Sequence, residues 1–316
     1  MPAPVPFARL AGPTGAPVVL YEADAVRTLP KVLAKGSVDC VVTSPPYNRK
    51  VAYGSYDDDL PRAEYLRWVG SAADSVRRVL APAGSFFLNV GGSPTDPWLP
   101  WDVAREVGRR FALQNVVHWV KSIAIDRDLA GKQVGLERDL AVGHYKPLNS
   151  KRFLHSGHEY IFHFTHRGDV ELDRLAIGVA YQDPSNVARW RSSGANVRCR
   201  GNAWFLPYRT IRFRSQDRPH PASFPVELPE RCYRLHGVGK IRLALDPFVG
   251  IGASALAAVR LGLPFVGFDI DRTYLGTAAR ALERGGARTA ESPDPGRQRG
   301  RPTGRRNVLP VPQRPL

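Results

Sequence analysis

The chain has 316 residues, of which 43% are hydrophobic and 23% charged, ordinary values for a globular protein and enough for one large α/β domain. Its formal net charge of +16 is unusual and favours a polyanionic partner. The three cysteines are too few and too scattered for a disulfide framework or a zinc site. Neither a membrane-spanning run nor a signal peptide is predicted, so we expect a soluble intracellular protein without a membrane partner.

The N-terminal part of the chain predicts an arm, a strand, a helix and a second strand. Proline, alanine and glycine dominate residues 1–17, a composition typical of a flexible arm. Residues 18–21 form a short apolar run typical of a strand, and residues 25–33 have helical spacing. Residues 38–43 are mostly apolar and rich in valine, which predicts a parallel strand that is buried on both faces.

The second strand ends in Ser44-Pro45-Pro46-Tyr47. The prolines cannot continue a central strand, because each lacks an N–H group and has φ fixed at about −65°. They hold the neighbouring carbonyl groups rigidly at the carboxyl end of a strand, where open α/β sheets bind ligands. Rigid acceptors beside one aromatic face suit a planar ring that bears an amino group. A tight turn without function is the alternative interpretation of this motif alone.

Residues 49–120 predict a loop and then alternating helices and strands. The loop at 49–60 contains an acidic run at 57–59, which we interpret as a solvated segment rather than a metal site. Helices are predicted over 61–80 and 101–111, and strands over 85–90 and 113–120. Strands and helices that alternate with short connections indicate a parallel sheet with crossover helices.

The alternation is interrupted over residues 121–218. This region contains one predicted strand at 159–165 and is otherwise irregular, with many basic, amide and tryptophan side chains. Four histidines between positions 155 and 166 raise the alternative of a metal cluster. A strand there would point neighbouring side chains to opposite faces, so we expect no metal.

Regular alternation resumes near the C-terminus. Strands are predicted over 243–248 and 265–270, and helices over 253–261 and 272–282. Residues 285–316 combine arginines with prolines and glycines, a composition that cannot bury a core. We therefore expect a disordered basic tail.

A second candidate site follows the strand at 243–248. The sequence Phe248-Val249-Gly250-Ile251-Gly252 lies between this strand and the next helix. Glycines let the backbone approach a ligand closely, and a helix N-terminus favours negative charge or acceptor atoms. With Ala255 the two glycines satisfy the dinucleotide pattern G-x-G-x-x-A, and Asp269 ends the next strand, where a carboxylate accepts hydrogen bonds from ribose hydroxyls. Alone, the pattern is compatible with a packing turn, a dinucleotide site or another adenosine cofactor.

Taken together, the two motifs resemble those of the S-adenosylmethionine-dependent DNA amino-methyltransferases, in the permuted order called the β class. In that family a motif of the form (S/D)-P-P-(Y/F) comes early and an F-x-G-x-G motif comes late, which is the order found here. The resemblance covers residues 18–120 and 157–282, with further similar segments at 22–25, 158–162, 220–225 and 267–271. Asp269 departs from the commonest pattern, since Glu is frequent at this place.

The resemblance implies an α/β fold of the Rossmann-like class I methyltransferase type. Its sheet would be mostly parallel and seven-stranded, with helices on both faces. The methyltransferase domain would span residues 18–284, with a target-recognition region at about 121–218 inserted. The side chains of that region suit contacts to phosphates and base edges.

The resemblance also implies roles for individual residues. Ser44 and the Pro45 carbonyl would accept hydrogen bonds from the amino group of the target base, and Tyr47 would stack on that base. The expected catalytic residues are Ser44, Pro45, Pro46 and Tyr47, and the expected cofactor contacts are Asp24, His220, Phe224, Asp246, Phe248, Gly250, Gly252 and Asp269. Two of these have alternatives: Asp246 as a structural cap on the glycine loop, and His220 as part of an ordered turn. No metal is needed, because the sulfonium cofactor carries its own leaving group.

The expected reaction is methylation of the exocyclic N4 of a cytosine flipped out of double-stranded DNA. Ser44 preceded by Thr43 is the form seen most in the cytosine-N4 enzymes, and N6 of adenine is the alternative target. An RNA amino-methyltransferase, a non-catalytic DNA-binding protein and a nicotinamide dehydrogenase are the remaining alternatives, in that order. The resemblance further implies a cytoplasmic protein of a bacterium or archaeon, a cognate restriction endonuclease as a partner, and a monomer or homodimer.

Overall fold

The strands and helices follow the periodic patterns of the sequence. The computed structural model describes residues 4–51, 55–130, 135–143, 149–181, 183, 185, 187, 196–207 and 223–290. Its strands are β1 (Ala8–Ala11), β2 (Pro17–Glu22), β3 (Val38–Thr43), β4 (Leu80–Val90), β5 (Ala112–Val120), β6 (Ser122–Ile125), β7 (Leu140–Gly143), β8 (His158–Thr165), β9 (Ala203–Phe205), β10 (Ala244–Asp246), β11 (Phe265–Asp269) and β12 (Arg288–Thr289). Its helices are α1 (Ala25–Val32), α2 (Arg62–Val79), α3 (Leu99–Gly108), α4 (Glu227–His236), α5 (Ala253–Arg260) and α6 (Arg272–Arg284).

One mixed sheet organises the described part of the chain, with its strands in the order β12-β1-β2-β11-β10-β3-β4-β8-β5-β9. Within this order β2, β11, β10, β3 and β4 run parallel to one another, and β8 runs antiparallel between β4 and β5. The described residues thus give this sheet ten strands where seven were predicted. The short strands β12 and β1 extend one edge, and β9 extends the other.

Helices cover both faces of the sheet, as predicted, because the central strands alternate their side chains between two apolar layers. Cys40 and Val42 pack with α4, α5 and α6, whereas Val41 packs with α1, α2 and α3. A strand that is buried on both faces needs a nearly continuous apolar sequence, which β3 provides. Among the described residues, no helix is long and apolar enough to cross a membrane.

The N-terminal arm and the basic tail are partly structured, contrary to prediction. β1 lies within the predicted arm, pairs antiparallel with β2 and β12, and buries Leu10 in the core. β12 lies within the predicted tail, whereas residues 291–316 are outside the described part. Main-chain pairing with the edge of β2 stabilises both segments, and composition does not reveal such a long-range partner.

The region at 121–218 contains more regular structure than predicted. β8 corresponds to the predicted strand at 159–165, and β6 and β7 form a separate antiparallel hairpin. β9 pairs in parallel with β5 and therefore belongs to the main sheet. Target recognition by the rest of this region stays a prediction.

Candidate active site

The two predicted motifs meet because the strands before them are neighbours. β10 pairs in parallel with β3, with Ala244 beside Cys40 and Leu245 beside Val41. Both motifs therefore leave the sheet at its carboxyl edge, where they line one cavity of about 220 Å³. The predicted site residues that line this cavity are Asp24, Ser44, Pro45, Pro46, Tyr47, Phe224, Phe248, Gly250 and Asp269.

The walls of the cavity are largely aromatic and apolar. The Trp68 ring lies 5.3 Å from the Phe248 ring and 5.5 Å from the Tyr56 ring. Ile270 and Tyr274 line the wall formed by the segment after β11. Sequence reasoning missed Trp68, because it borders the buried face of α2 instead of lying on it. A large aromatic residue beside the apolar stripe of a helix is the one signal that was available.

Asp269 holds the glycine loop beside the cavity. One carboxylate oxygen accepts a hydrogen bond from Gly250 N at 2.9 Å, and the other accepts one from Asp271 N at 2.8 Å. Burial raises the pKa of this carboxyl group. Each carboxylate oxygen has a second lone pair, so Asp269 keeps acceptor capacity toward the cavity.

Asp246 lies behind the cavity wall. It is 1% exposed, and one oxygen accepts hydrogen bonds from Thr43 Oγ1 at 2.5 Å and Phe248 N at 2.9 Å. The other oxygen accepts one from Ser254 Oγ at 2.5 Å. Burial raises the pKa of Asp246 to about 6. These contacts are those of a structural cap that joins β3, the glycine loop and α5, and they do not support the predicted cofactor contact.

Gly252 also serves packing rather than the cavity lining. Its φ of +88° is left-handed, and an added Cβ would lie 2.9 Å from the Ala278 Cβ. A glycine is therefore required where α5 begins against α6. Gly252 was predicted to contact the cofactor, and this placement does not support that contact. His220, the remaining predicted cofactor residue, lies outside the described residues.

Asp24 lies at the mouth of the cavity and caps α1. Its Oδ1 accepts a hydrogen bond from Val26 N at 2.9 Å, and its Oδ2 lies 3.4 Å from Arg27 Nε. A carboxylate in this position satisfies an orphan N–H group of the first helical turn. Its exposed side chain is also one of the polar groups around the cavity.

The first motif forms a hydrogen-bonded turn that lines the cavity. Ser44 Oγ and the Tyr47 hydroxyl oxygen are 2.6 Å apart, and the Tyr65 hydroxyl donates to the Pro46 carbonyl at 2.8 Å. Within the described part of the chain, the Pro45 carbonyl accepts no hydrogen bond from the protein. Ser44 and Pro45, which carry a hydroxyl and a carbonyl acceptor, thus both line the cavity.

Polar side chains from β4 and β8 contact the Tyr47 hydroxyl from behind. Asn89 Nδ2 donates to it at 2.6 Å, and the hydroxyl donates to Glu159 Oε2 at 3.2 Å. Sequence reasoning did not name either residue as part of the site. The available signal is a polar side chain within an otherwise apolar strand, which needs a partner when it is buried.

Asp58 orders the segment that follows the first motif. The residue is 3% exposed and accepts hydrogen bonds from the backbone N–H groups of Asn48, Arg49 and Val51. Asn48 and Lys50 have left-handed φ values of 56° and 58°, so this turn points several N–H groups inward. The prediction of a solvated acidic run is therefore wrong for Asp58, whereas Asp57 and Asp59 are exposed.

The cavity suits an adenosine-type sulfonium cofactor. Its aromatic and apolar walls fit a flat base, while the carboxylates of Asp269 and Asp271 at its edge fit sugar hydroxyls. The chain belongs to the DNA methylase family, whose sequence pattern matches residues 38–280. The cofactor of this family is S-adenosylmethionine, which supplies a methyl group bound to a positively charged sulfur.

Individual relatives are similar over most of the chain. The Type II methyltransferase M.HpaI of Haemophilus parainfluenzae is 27% identical over 261 residues, which cover 82% of this chain and 72% of the relative. The solved PvuII DNA methyltransferase (cytosine-N4-specific) covers 87% of this chain and 89% of its own, with a TM-score of 0.57 and 20% identity. A putative DNA modification methylase of Thermus thermophilus, solved with S-adenosyl-L-methionine, covers 84% of this chain and 93% of its own, with a TM-score of 0.52 and 22% identity. The fold is that of the class I methyltransferases.

Proposed function

We propose that the protein transfers a methyl group from S-adenosylmethionine to the exocyclic N4 of a cytosine in double-stranded DNA. The observation that carries this proposal is the pairing of Ser44 Oγ with the Tyr47 hydroxyl at 2.6 Å beside the cofactor cavity. Ser44 at the first position of the motif favours cytosine, as does the likeness to a methyltransferase described as cytosine-N4-specific.

Acceptors at this turn answer the main chemical difficulty of the reaction. An exocyclic amino nitrogen is a poor nucleophile, because its lone pair is delocalised into the ring. Ser44 Oγ and the Pro45 carbonyl would accept its two hydrogens, which favours a pyramidal nitrogen with a localised lone pair. The same preorganised acceptors stabilise the positive charge that develops on the nitrogen during transfer. Most of the remaining acceleration comes from holding the reacting groups in line.

The Tyr47 ring would stack on the target base. A base must leave the duplex to reach this turn, which costs a few kcal/mol of unstacking and unpairing. Stacking on Tyr47 and hydrogen bonds to Ser44 offset part of that cost. The Tyr47 hydroxyl is fixed by hydrogen bonds, so its ring requires little ordering when the base arrives.

The cofactor would lie between the two motifs. Asp269 would hold the ribose hydroxyls, and Asp24 would bind near the adenine or ribose edge. Phe248 and Phe224 would flank the cofactor, with Trp68 behind Phe248. Gly250 brings the backbone close to the ligand, because no side chain stands in the way.

Residues 121–218 would supply the contacts that choose the DNA sequence. The net charge of +16 suits the phosphate backbone, whose contribution to affinity falls as salt increases. Relatives described as Type II methyltransferases favour a role in restriction-modification, with a cognate endonuclease as a partner.

Mass spectrometry of nucleosides tests this function. Unmethylated duplex DNA of mixed sequence is incubated with S-adenosylmethionine and wild type, Ser44→Ala or Ser71→Ala. Ser71 is an exposed serine of α2 and serves as the matched control. We expect N4-methylcytosine from wild type and Ser71→Ala, and a loss of at least about 100-fold in Ser44→Ala.

Other products would correct the proposal in distinct ways. N6-methyladenine would keep the mechanism and overturn the choice of base. A methylated nucleoside in structured RNA, with none in DNA, would overturn the substrate class. Wild type that does not bind S-adenosylmethionine would contradict the enzymatic function itself.

A further inference from the structure

A hydrogen-bonded series of polar side chains extends from the turn at Ser44-Pro45-Pro46-Tyr47 into the sheet, away from the cofactor cavity. Ser44 Oγ contacts the Tyr47 hydroxyl, which contacts Glu159 Oε2 at 3.2 Å. Asn89 Nδ2 donates both to Glu159 Oε2 at 2.8 Å and to the Tyr47 hydroxyl. Lys121 Nζ donates to Glu159 Oε1 at 2.9 Å. This series of hydrogen bonds thus joins the proposed reaction centre to a buried carboxylate.

Two features indicate that the sheet is built to hold this carboxylate. Glu159 is 8% exposed and Asn89 2%, in strands that are otherwise mostly apolar. A charge in such surroundings is stable only when it is paired and hydrogen-bonded, which Lys121 and Asn89 provide. In addition, Gly91 leaves room for the side chain, since an added Cβ there would lie 2.8 Å from the Glu159 Cδ.

The carboxylate fixes the direction of the hydrogen bonds. An ionised Glu159 can only accept, so the single hydroxyl hydrogen of Tyr47 points to Glu159 Oε2. Tyr47 cannot then donate to Ser44, and Ser44 must donate its hydrogen to the Tyr47 oxygen. Because its hydrogen is directed away, Ser44 Oγ presents its lone pairs to the substrate. That is the state in which it accepts an amino hydrogen.

We propose that Glu159 is a positioning residue for the methyl transfer described above, acting on Ser44 through Tyr47 and receiving the proton that the reaction releases. The inference rests on the proposed function. The family motif allows either Tyr or Phe at this position, so this use of the hydroxyl is open only to chains that, like this one, have Tyr there.

The same hydrogen-bonded residues carry away the proton that methyl transfer releases. The amino nitrogen would form its new C–N bond to the methyl carbon as the bond from that carbon to the cofactor sulfur breaks, with the electron pair of the broken bond staying on sulfur. The nitrogen then carries a positive charge and one surplus proton. That proton passes to Ser44 Oγ while the Ser44 proton moves to the Tyr47 oxygen and the Tyr47 proton moves to Glu159 Oε2. The base leaves neutral and Glu159 is protonated. Its side chain is 11% exposed, which allows it to return the proton to solvent between turnovers.

Single-turnover rates of methyl transfer to duplex DNA test the proposal. The variants are Glu159→Gln, Tyr47→Phe and the double variant, with Glu283→Gln, an exposed residue of α6, as the control. We expect Glu159→Gln to slow transfer by about 100-fold, in the range of general acid-base effects, with the Kd for S-adenosylmethionine changed less than about threefold. Tyr47→Phe interrupts the same series of hydrogen bonds. The rate of the double variant should therefore lie within about threefold of the rate of the slower single variant.

Three results separate the possible failures. A Glu159→Gln rate close to that of wild type, or effects that multiply in the double variant, would overturn the role of Glu159. If thermal unfolding shows that Glu159→Gln does not fold, the rate of Tyr47→Phe becomes the deciding measurement. A wild-type rate in Tyr47→Phe would then overturn the proposal that Glu159 acts through the Tyr47 hydroxyl. Wild type that methylates no amino base would instead show that the proposed function is wrong, and this inference would fall with it.

Discussion

Thr43 and Ser44 are consecutive hydroxyl residues, yet they connect to two different polar clusters. The Thr43 hydroxyl is buried and donates to Asp246 at 2.5 Å, where Ser254 and the glycine loop also donate. The Ser44 hydroxyl is half-buried, lines the cavity and contacts Tyr47. One cluster is therefore closed off from the cavity by the protein, and the other opens toward a ligand.

The difference shows that burial decides whether a polar group stabilises the fold or is available to a ligand. A carboxylate that receives three protein donors and is 1% exposed fixes a loop. A hydroxyl at the edge of a cavity keeps lone pairs for a substrate. The closed cluster therefore predicts effects on stability, and the open one predicts effects on reaction rate.

Breaking the closed cluster should have the largest effect on stability. Asp246→Asn keeps the size of the side chain but replaces an acceptor with an amide donor beside the hydroxyls of Thr43 and Ser254. We expect the free energy of unfolding to fall by about 3 kcal/mol, because buried donors lose their acceptor. Urea unfolding at pH 7.5 measures this change.

The matched control is Asp128→Asn, whose side chain is 84% exposed. It should change the free energy of unfolding by no more than about 0.5 kcal/mol. Equal effects of the two substitutions would show that the Asp246 cluster does not hold the glycine loop.

A second closed cluster predicts how stability depends on pH. Asn115 Nδ2 donates to His163 Nδ1 at 3.0 Å, and His163 Nε2 donates to Ser85 Oγ at 2.9 Å. Ser85 in turn donates to His236 Nδ1 at 2.9 Å. This order of donors requires both imidazoles to be neutral. Burial lowers the pKa of His163 to about 3 and that of His236 to about 4.

The two histidines should make the protein less stable in mild acid. Their folded-state pKa values lie below the unfolded value, so their stabilisation is complete above about pH 6.5 and decreases as pH falls toward 4. The raised pKa of Asp246 acts in the opposite direction over the same range. We expect a net loss of about 2 kcal/mol between pH 7.5 and pH 5, measured by urea unfolding.

Removing one histidine isolates this contribution. Most of the loss between the two pH values should disappear in His236→Gln, because one such histidine contributes about 2 kcal/mol and Asp246 offsets much of the rest, whereas the loss should be unchanged in His155→Gln, an exposed residue. A loss of the same size in wild type and His236→Gln would contradict the assignment of two neutral imidazoles.

The last of the stability effects concerns the backbone of the glycine loop. Gly252→Ala places a Cβ 2.9 Å from the Ala278 Cβ in a left-handed conformation, so we expect a loss of about 2 kcal/mol. Gly276→Ala is the control, because a Cβ added at this mid-helix position would have no contact closer than 3.6 Å. This substitution should stabilise the protein by about 0.5 kcal/mol. Thermal unfolding of both variants tests this contrast, and a neutral Gly252→Ala would contradict it.

The parts of the site that could be predicted are those coded by local motifs. Ser44, Phe248 and Asp269 each follow an apolar strand, so the carboxyl edge of the sheet brings them together. Asp246 also follows this pattern, but only the three-dimensional contacts show that it is buried and bonded to Thr43 and Ser254. The local sequence therefore located the site, but it did not distinguish residues that would contact a ligand from residues that only stabilise the loops of the site.

The parts that could not be predicted depend on distant partners. β1 forms because the edge of β2 is available and because β12 pairs from the other end of the chain. Glu159 contacts Tyr47 across 112 positions of sequence, through the pairing of β8 with β4. No local pattern contains such contacts, because they arise from the order of strands in the sheet.

The most direct test of the account compares cofactor binding and reaction rate in Ser44→Ala. Titration calorimetry gives the Kd for S-adenosylmethionine, and single-turnover kinetics with duplex DNA gives the rate of transfer. The proposed mechanism predicts a rate lower by at least about 100-fold with the Kd unchanged within about threefold, because Ser44 acts on the base and not on the cofactor. A rate close to that of wild type, or a loss explained entirely by weaker cofactor binding, would contradict it.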